Sequence, residues 1–271
     1  MRARKRFGQH FLEPAWVRKV VESIAPAADD VFVEIGPGRG ALTLPLAAAA
    51  RLVIGIEVDR DLAARLPSVA PANVRVVTAD VLSVDLGDVL APAGDAPRIR
   101  VAGNLPYNIS SPILFRLLDL QAADPRVTDA TLMLQKEVVD RLVAGPGGRE
   151  YGVLSVLVGR RARVTRVLTL PPGAFRPSPE VTSAVVRLDF RPPGEVLPVP
   201  PIFEPMVRGL FTQRRKTTGN ALAAFARMTG AEAAALLQAV GIDPRRRPET
   251  LSLQEFVAVA GVLHFNPSNR E

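Results

Sequence analysis

Val31-Phe32-Val33-Glu34-Ile35-Gly36-Pro37-Gly38-Arg39-Gly40 decides the fold. Its first five residues, rich in β-branched and aromatic side chains, predict a short buried strand. The run ends in three closely spaced glycines, where a backbone can turn sharply and let a ligand approach closely. Ala41–Ala50, with helical apolar spacing, follows at once. Strand, glycine turn and helix open a βαβ unit. The turn alone is a weak signal, since a plain tight turn would serve as well. Gly36, Gly38 and Ala41 even satisfy the dinucleotide fingerprint of nicotinamide enzymes.

Outward from this stretch the pattern repeats. Leu52–Val58, Val74–Thr78, Ile99–Ala102 and Thr131–Leu134 read as strands, and Arg60–Leu66, Pro112–Leu120 and Lys136–Val143 as helices. A helix over Val17–Ile24 follows Pro14. Two further β runs, Val153–Val158 (also readable as helix) and Ser183–Phe190, complete the sheet. Alternating elements of this kind predict an α/β fold, a Rossmann-like parallel sheet with helices on both faces. Arg191–Pro201 holds five prolines and reads as a linker, after which the β signal vanishes. Phe203–Phe211, Ala221–Phe225, Ala231–Val240 and Leu253–Leu263 then predict a small all-helical C-terminal domain. The expected division is 1–191 and 192–271.

Composition excludes several chemistries. The 271 residues contain no cysteine, which rules out disulfides, thiolate metal sites and a cysteine nucleophile. With His10 and His264 the only histidines, no metal is expected. The basic start runs into Phe7-Gly8-Gln9-His10 and not into a signal-peptide apolar region. The longest apolar stretch, Ala41 to Ile56, is interrupted by Pro45 and Arg51 and does not read as a membrane span. A cytoplasmic protein is the expectation. The net charge of +7 is segregated: residues 1–20 carry six cations against one acid, whereas 21–144 carry 11 against 16. A basic flank around an acidic block suits a polyanion surface beside a site for another ligand.

Two acids sharpen the ligand. Glu57 ends the second strand, where a carboxylate can accept hydrogen bonds from ribose hydroxyls. Asp80 ends the third, where it can accept one from an adenine amine. The fourth strand leads into Asn104-Leu105-Pro106-Tyr107, the Asn-x-Pro-aromatic pattern that amino-methyltransferases share. An exocyclic adenine amine is a poor nucleophile, because its lone pair is delocalised into the ring. The Asn104 amide oxygen and the Leu105 carbonyl can both accept from that amine and aim its lone pair at an activated methyl. Pro106 sets the turn and Tyr107 offers a stacking face for the base.

At these residues the chain resembles the KsgA (RsmA) family of adenine N6,N6-dimethyltransferases. Arg4-Lys5-Arg6-Phe7-Gly8-Gln9-His10-Phe11-Leu12, the glycine loop, Asn104-Leu105-Pro106-Tyr107-Asn108-Ile109-Ser110, Leu134-Gln135-Lys136-Glu137-Val138 and Phe211-Thr212-Gln213-Arg214-Arg215-Lys216-Thr217 carry the likeness. The resemblance implies a class I methyltransferase sheet, S-adenosylmethionine as methyl donor, and dimethylation of two adjacent adenosines near the 3′ end of small-subunit RNA, late in subunit assembly. By the same likeness Gln9, His10, Leu12, Gly36, Gly38, Glu57, Asp80 and Asn104 contact the cofactor. Phe175 lies across the target base from Tyr107. Two departures stand out: His10 where the family usually has Asn, and Gly219 where an Arg or similar residue is common. Arg4, Lys5, Arg6, Arg214, Arg215 and Lys216 are the expected RNA contacts, with Arg160-Arg161-Arg163 and Arg245-Arg246-Arg247 as further basic clusters. The expected partner is the small ribosomal subunit, met as a monomer. Two alternatives stay open: an Erm-type enzyme acting on large-subunit RNA, and an assembly factor for which methylation is secondary.

Overall fold

The computed structural model describes residues 10–264. It divides into two compact units, one running to Val139 and resuming over Ala162–Pro193, the other made of Asp140–Arg161 and the chain from Gly194 onward. The expected single cut at 191/192 thus has a counterpart near Pro193, but Asp140–Arg161 groups with the C-terminal helices. Among the described residues no helix is long and apolar enough to cross a membrane.

The first unit begins with β1 (Phe11–Leu12), α1 (Pro14–Ile24), β2 (Val31–Ile35), α2 (Thr43–Ala49) and β3 (Leu52–Glu57). It continues through α3 (Arg60–Arg65), β4 (Val74–Thr78), α4 (Leu86–Leu90), β5 (Ile99–Asn104), α5 (Ser110–Ala123), β6 (Val127–Gln135) and the start of α6 (Lys136–Val143). After α7 (Val153–Arg161), in the second unit, it resumes with β7 (Ala162–Leu170), β8 (Phe175–Arg176) and β9 (Ser183–Phe190). Seven strands form one sheet in the order β4-β3-β2-β5-β6-β9-β7. The first five are parallel and β9 runs antiparallel to both β6 and β7. β2, whose five residues are all buried, is central, as its apolar run requires.

Chain order reverses between β2 and β5, which lie side by side with Ile35 opposite Gly103. Their carboxyl ends therefore deliver Gly36 and Asn104 to one crevice, the place where sheets of this type bind ligands. On the core side Phe32, Leu46, Val53, Met133, Phe175 and Val185 form one apolar cluster, with Trp16 and Val17 of α1 packed against it. Arg100, 2% exposed, sits at the opposite, amino-terminal end of β5. It donates to Asp129 and Asp30, each at 2.8 Å, and to the Ile24 and Ala25 carbonyls at the end of α1. One buried guanidinium thereby ties the end of α1 to β5, β6 and the residue leading into β2.

Two expectations need correction. Val153–Val158 is helix, because its apolar residues continue into a nine-residue α7 that packs on α8 (Phe203–Thr212) and α11 (Leu253–His264) of its own unit. The strand completing the sheet edge is instead β7, where exposed Arg163, Thr165, Arg166 and Thr169 interleave with half-buried apolar residues. The second unit is completed by α8 (Phe203–Thr212), α9 (Thr218–Ala226), α10 (Gly230–Ala239) and α11 (Leu253–His264). Thr229 and Glu232 form a reciprocal capping box at the start of α10.

Candidate active site

The glycine turn is built from geometry only glycine adopts freely: Gly36 has φ +69° and Gly38 φ +58°. The Gly36 amide donates to the Ile56 carbonyl at 2.9 Å, joining the turn to the end of β3. Glu57, 5% exposed, accepts from the Gly38 amide through Oε2 and from the Asp59 amide through Oε1, both at 2.9 Å. The carboxylate therefore fixes the turn and still has lone pairs for a further donor. Burial pushes its pKa up, and these amides oppose the shift. Asp80, exposed at the end of β4, accepts from the Leu82 amide at 2.9 Å.

The Asn104–Tyr107 turn is held at both ends. The Leu105 amide donates to the Met133 carbonyl at 3.1 Å, and Leu105 is 1% exposed. Tyr107 Oη lies 2.7 Å from the hydroxyl of buried Ser183 on β9. Burial raises the Tyr107 pKa, keeping it a neutral phenol. Asn104 Nδ2 donates to the His10 carbonyl at 2.9 Å. β1 pairs antiparallel with β8, Phe11 opposite Arg176 and Leu12 opposite Phe175, so the chain entering from the N-terminus is strapped across this edge.

One cavity brings these parts together. His10, Leu12, Gly36, Gly38, Glu57, Asp80, Asn104, Leu105, Pro106 and Tyr107 all line it, with apolar walls from Ile35, Ile56, Leu62 and Val81. Gln9, Arg4, Lys5 and Arg6 lie outside the described residues.

Phe175 corrects the expected base sandwich. It is 0% exposed, packed in the core cluster, and does not line the cavity. β8 alternates sides, and pairing with Leu12 sends the Phe175 ring inward. The residue anchors the strap from beneath.

The structure adds Glu34, which sequence reasoning passed over. It lies in β2, 2% exposed, and lines the cavity; its Oε2 and the nearby Thr43 hydroxyl both lack a hydrogen-bond partner. Burial pushes its pKa up to about 7; Thr43 opposes the shift and Glu57 adds to it. The signal was an acid inside an otherwise apolar strand. A cavity with an orphaned buried carboxylate oxygen, a glycine cradle and two further carboxylates fits a ligand with an adenosine end and a cationic amino-acid end.

In the second unit Arg214 is already engaged. It donates to Glu249 at 3.0 Å and to the carbonyls of Gly148 and Arg149, stapling the Gly145–Gly148 loop. Arg215 and Lys216 are exposed. Arg245 pairs with Asp243, and Arg246 with Glu255. A Cβ at Gly219 would meet Pro244 at 3.1 Å, so a side chain there requires Pro244 to yield by a few tenths of an ångström.

A Rossmann-like sheet whose switch-point crevice joins a glycine turn to an Asn-Leu-Pro-Tyr turn defines an amino-methyltransferase. The chain belongs to the ribosomal RNA adenine dimethylase family, whose model matches residues 1–263. It is 46% identical over 264 residues to ribosomal RNA small subunit methyltransferase A of Xanthomonas axonopodis pv. citri, covering 96% of each chain. A relative of the same name from Nitrosococcus oceani is 44% identical, with 95% of each covered. Among solved structures, a dimethyladenosine transferase from Plasmodium falciparum shares the fold with a TM-score of 0.78 at 23% identity, covering 96% of this chain and 98% of that one. The 23S rRNA methyltransferase ErmE matches with a TM-score of 0.68 at 25% identity, covering 94% and 99%. The protein is an rRNA adenine methyltransferase, and its relatives favour the small-subunit reading over the Erm alternative.

Proposed function

We propose that this chain dimethylates N6 of two adjacent adenosines in the 3′-terminal hairpin loop of 16S rRNA, using S-adenosylmethionine, as a cytoplasmic monomer acting late in small-subunit assembly. The observation that carries the reading is one cavity holding both Gly36–Gly38 and Asn104–Tyr107. When bound, the donor supplies a methyl group on a positively charged sulfur. Glu57 would accept from its ribose hydroxyls, Asp80 from its adenine amine, and Glu34 would hold its cationic end. His10 and Leu12 close the cavity from the strap.

In the first transfer Asn104 Oδ1 and the Leu105 carbonyl accept hydrogen bonds from the two amine hydrogens of the target base, drawing nitrogen toward tetrahedral geometry; one hydrogen remains for the second transfer, and each methyl gained releases one proton to solvent. Tyr107 stacks on the extruded ring, worth roughly 1–3 kcal/mol. The leaving group is already activated, so the residues act by positioning and water exclusion and not through a strong base. Arg215 and Lys216, with the basic arm Arg4–Arg6, meet RNA phosphates.

A methyl-transfer assay on immature small subunits and on large subunits in parallel, with the modified base mapped, tests this. Label on adenine N6 of 16S rRNA is the expected result. Label confined to large subunits, or none on RNA, overturns it.

A further inference from the structure

We propose that His10 is a positioning residue for the target base: its imidazole backs the Tyr107 ring and fixes the plane on which an extruded adenine stacks. The inference rests on the reading of Tyr107 as the stacking partner of that base.

Three contacts place residue 10. Its Nδ1 lies 2.8 Å from the Pro177 carbonyl oxygen, which accepts only, so Nδ1 carries the proton and donates. Its ring lies 5.8 Å from the Tyr107 ring between centroids, with 17° between planes, a near-parallel stack. Its own carbonyl accepts from Asn104 Nδ2 at 2.9 Å.

The consequences follow from these bonds. Tyr107 is held at its hydroxyl by Ser183 and flanked by the offset, near-parallel His10 ring. Its ring is then presented in a set orientation, and ordering entropy is spent before the base arrives. An amide whose Nδ2 is committed to residue 10 also turns its Oδ1 the opposite way, and Oδ1 is the acceptor the amine needs. Residue 10 thus orients both side chains that grip the base, one through its ring and one through its backbone. With Nδ1–H committed to Pro177, Nε2 of the uncharged ring is a lone-pair acceptor and offers no hydrogen to a cofactor carboxylate. Loss of the ring should therefore fall on catalysis and not on donor affinity.

His10→Ala removes the ring and keeps the carbonyl; His10→Phe keeps a ring without the donor. Both are to be assayed on immature small subunits at saturating S-adenosylmethionine, with donor affinity measured by calorimetry and folding checked by thermal unfolding. His10→Ala should lower kcat about tenfold with donor affinity within about twofold, and His10→Phe should recover most of the loss. Independently, NMR should show a protonated Nδ1 and ring-current-shifted His10 protons whose shift disappears in Tyr107→Leu. Unchanged kcat in His10→Ala, a loss confined to donor affinity, or absent ring-current shifts overturn the proposal. Failure of the unsubstituted chain to label RNA would instead sink the functional reading beneath it.

Discussion

Glu34 shows how much one side chain can carry. A carboxyl in the central strand, with one oxygen unpaired, holds its proton to about pH 7 where an ordinary glutamate ionises near 4.5. The folded state binds that proton more tightly than the unfolded chain. Its contribution is therefore fully present below about pH 4.5 and is lost as pH rises toward and through 7. Glu34→Gln should flatten this dependence, by on the order of 3 kcal/mol between pH 5 and pH 8. Urea unfolding of both proteins at the two pH values measures it; parallel curves would show that Glu34 ionises normally. Phe175 carries the opposite lesson. Its proline-flanked setting read as a base-stacking aromatic, yet the ring is buried beneath the strap. Phe175→Leu, which keeps most of the volume, should leave kcat within a few-fold, while Phe175→Ala should cost about 3–5 kcal/mol of stability in denaturant titration. A collapse of kcat in the folded leucine variant would restore the stacking role.

At the scale of elements, the parallel strands were legible because burial on both faces writes a continuous apolar run, as in Val31–Ile35. The turns that follow them were legible too, since glycine, proline and carboxylates there have few other uses. Val153–Val158 was not, because a short apolar run has no period that separates helix from strand. β7 was hidden by its arginines, which suit a solvent-facing sheet edge and read as loop. α4 is only five residues long and announces itself through the Asp85 cap alone. The pairing of β1 with β8 has no local signature, because register between distant two-residue strands is set by tertiary packing. The Arg100 knot was equally silent. Arg100→Met should destabilise by about 3–5 kcal/mol, because it removes the buried partner of Asp30 and Asp129 and leaves them only the more exposed Arg98 and Arg187. Adding Asp129→Asn and Asp30→Asn should recover part of that loss. Equilibrium unfolding in guanidinium reads both, and an Arg100→Met protein as stable as the parent would remove the knot from the fold's supports.

For the whole molecule, charge separates the tasks. The acidic block of residues 21–144 contains the carboxylates of the cavity, while exposed cations such as Arg215 and Lys216 belong to the helical unit. RNA affinity should fall with salt. Arg215→Gln and Lys216→Gln should each reduce the slope of log affinity against log salt by about 1 without altering which adenines are modified. Arg214→Gln should also lower stability, because its guanidinium holds Glu249 and the Gly148 carbonyl. Filter binding across a salt series decides this, and unchanged slopes would move the RNA footprint elsewhere.

His10 and Pro177 lie 167 positions apart, and the bond between them belongs to the same strap as β1 and β8. During synthesis the first residues of the active centre must therefore wait for nearly the last strand of their unit. A growing chain that has already built β2 to β6 holds a glycine turn and an asparagine turn but no roof above them. The contacts that set His10 beside Asn104 and Tyr107 are complete only once β8 and Pro177 have been made.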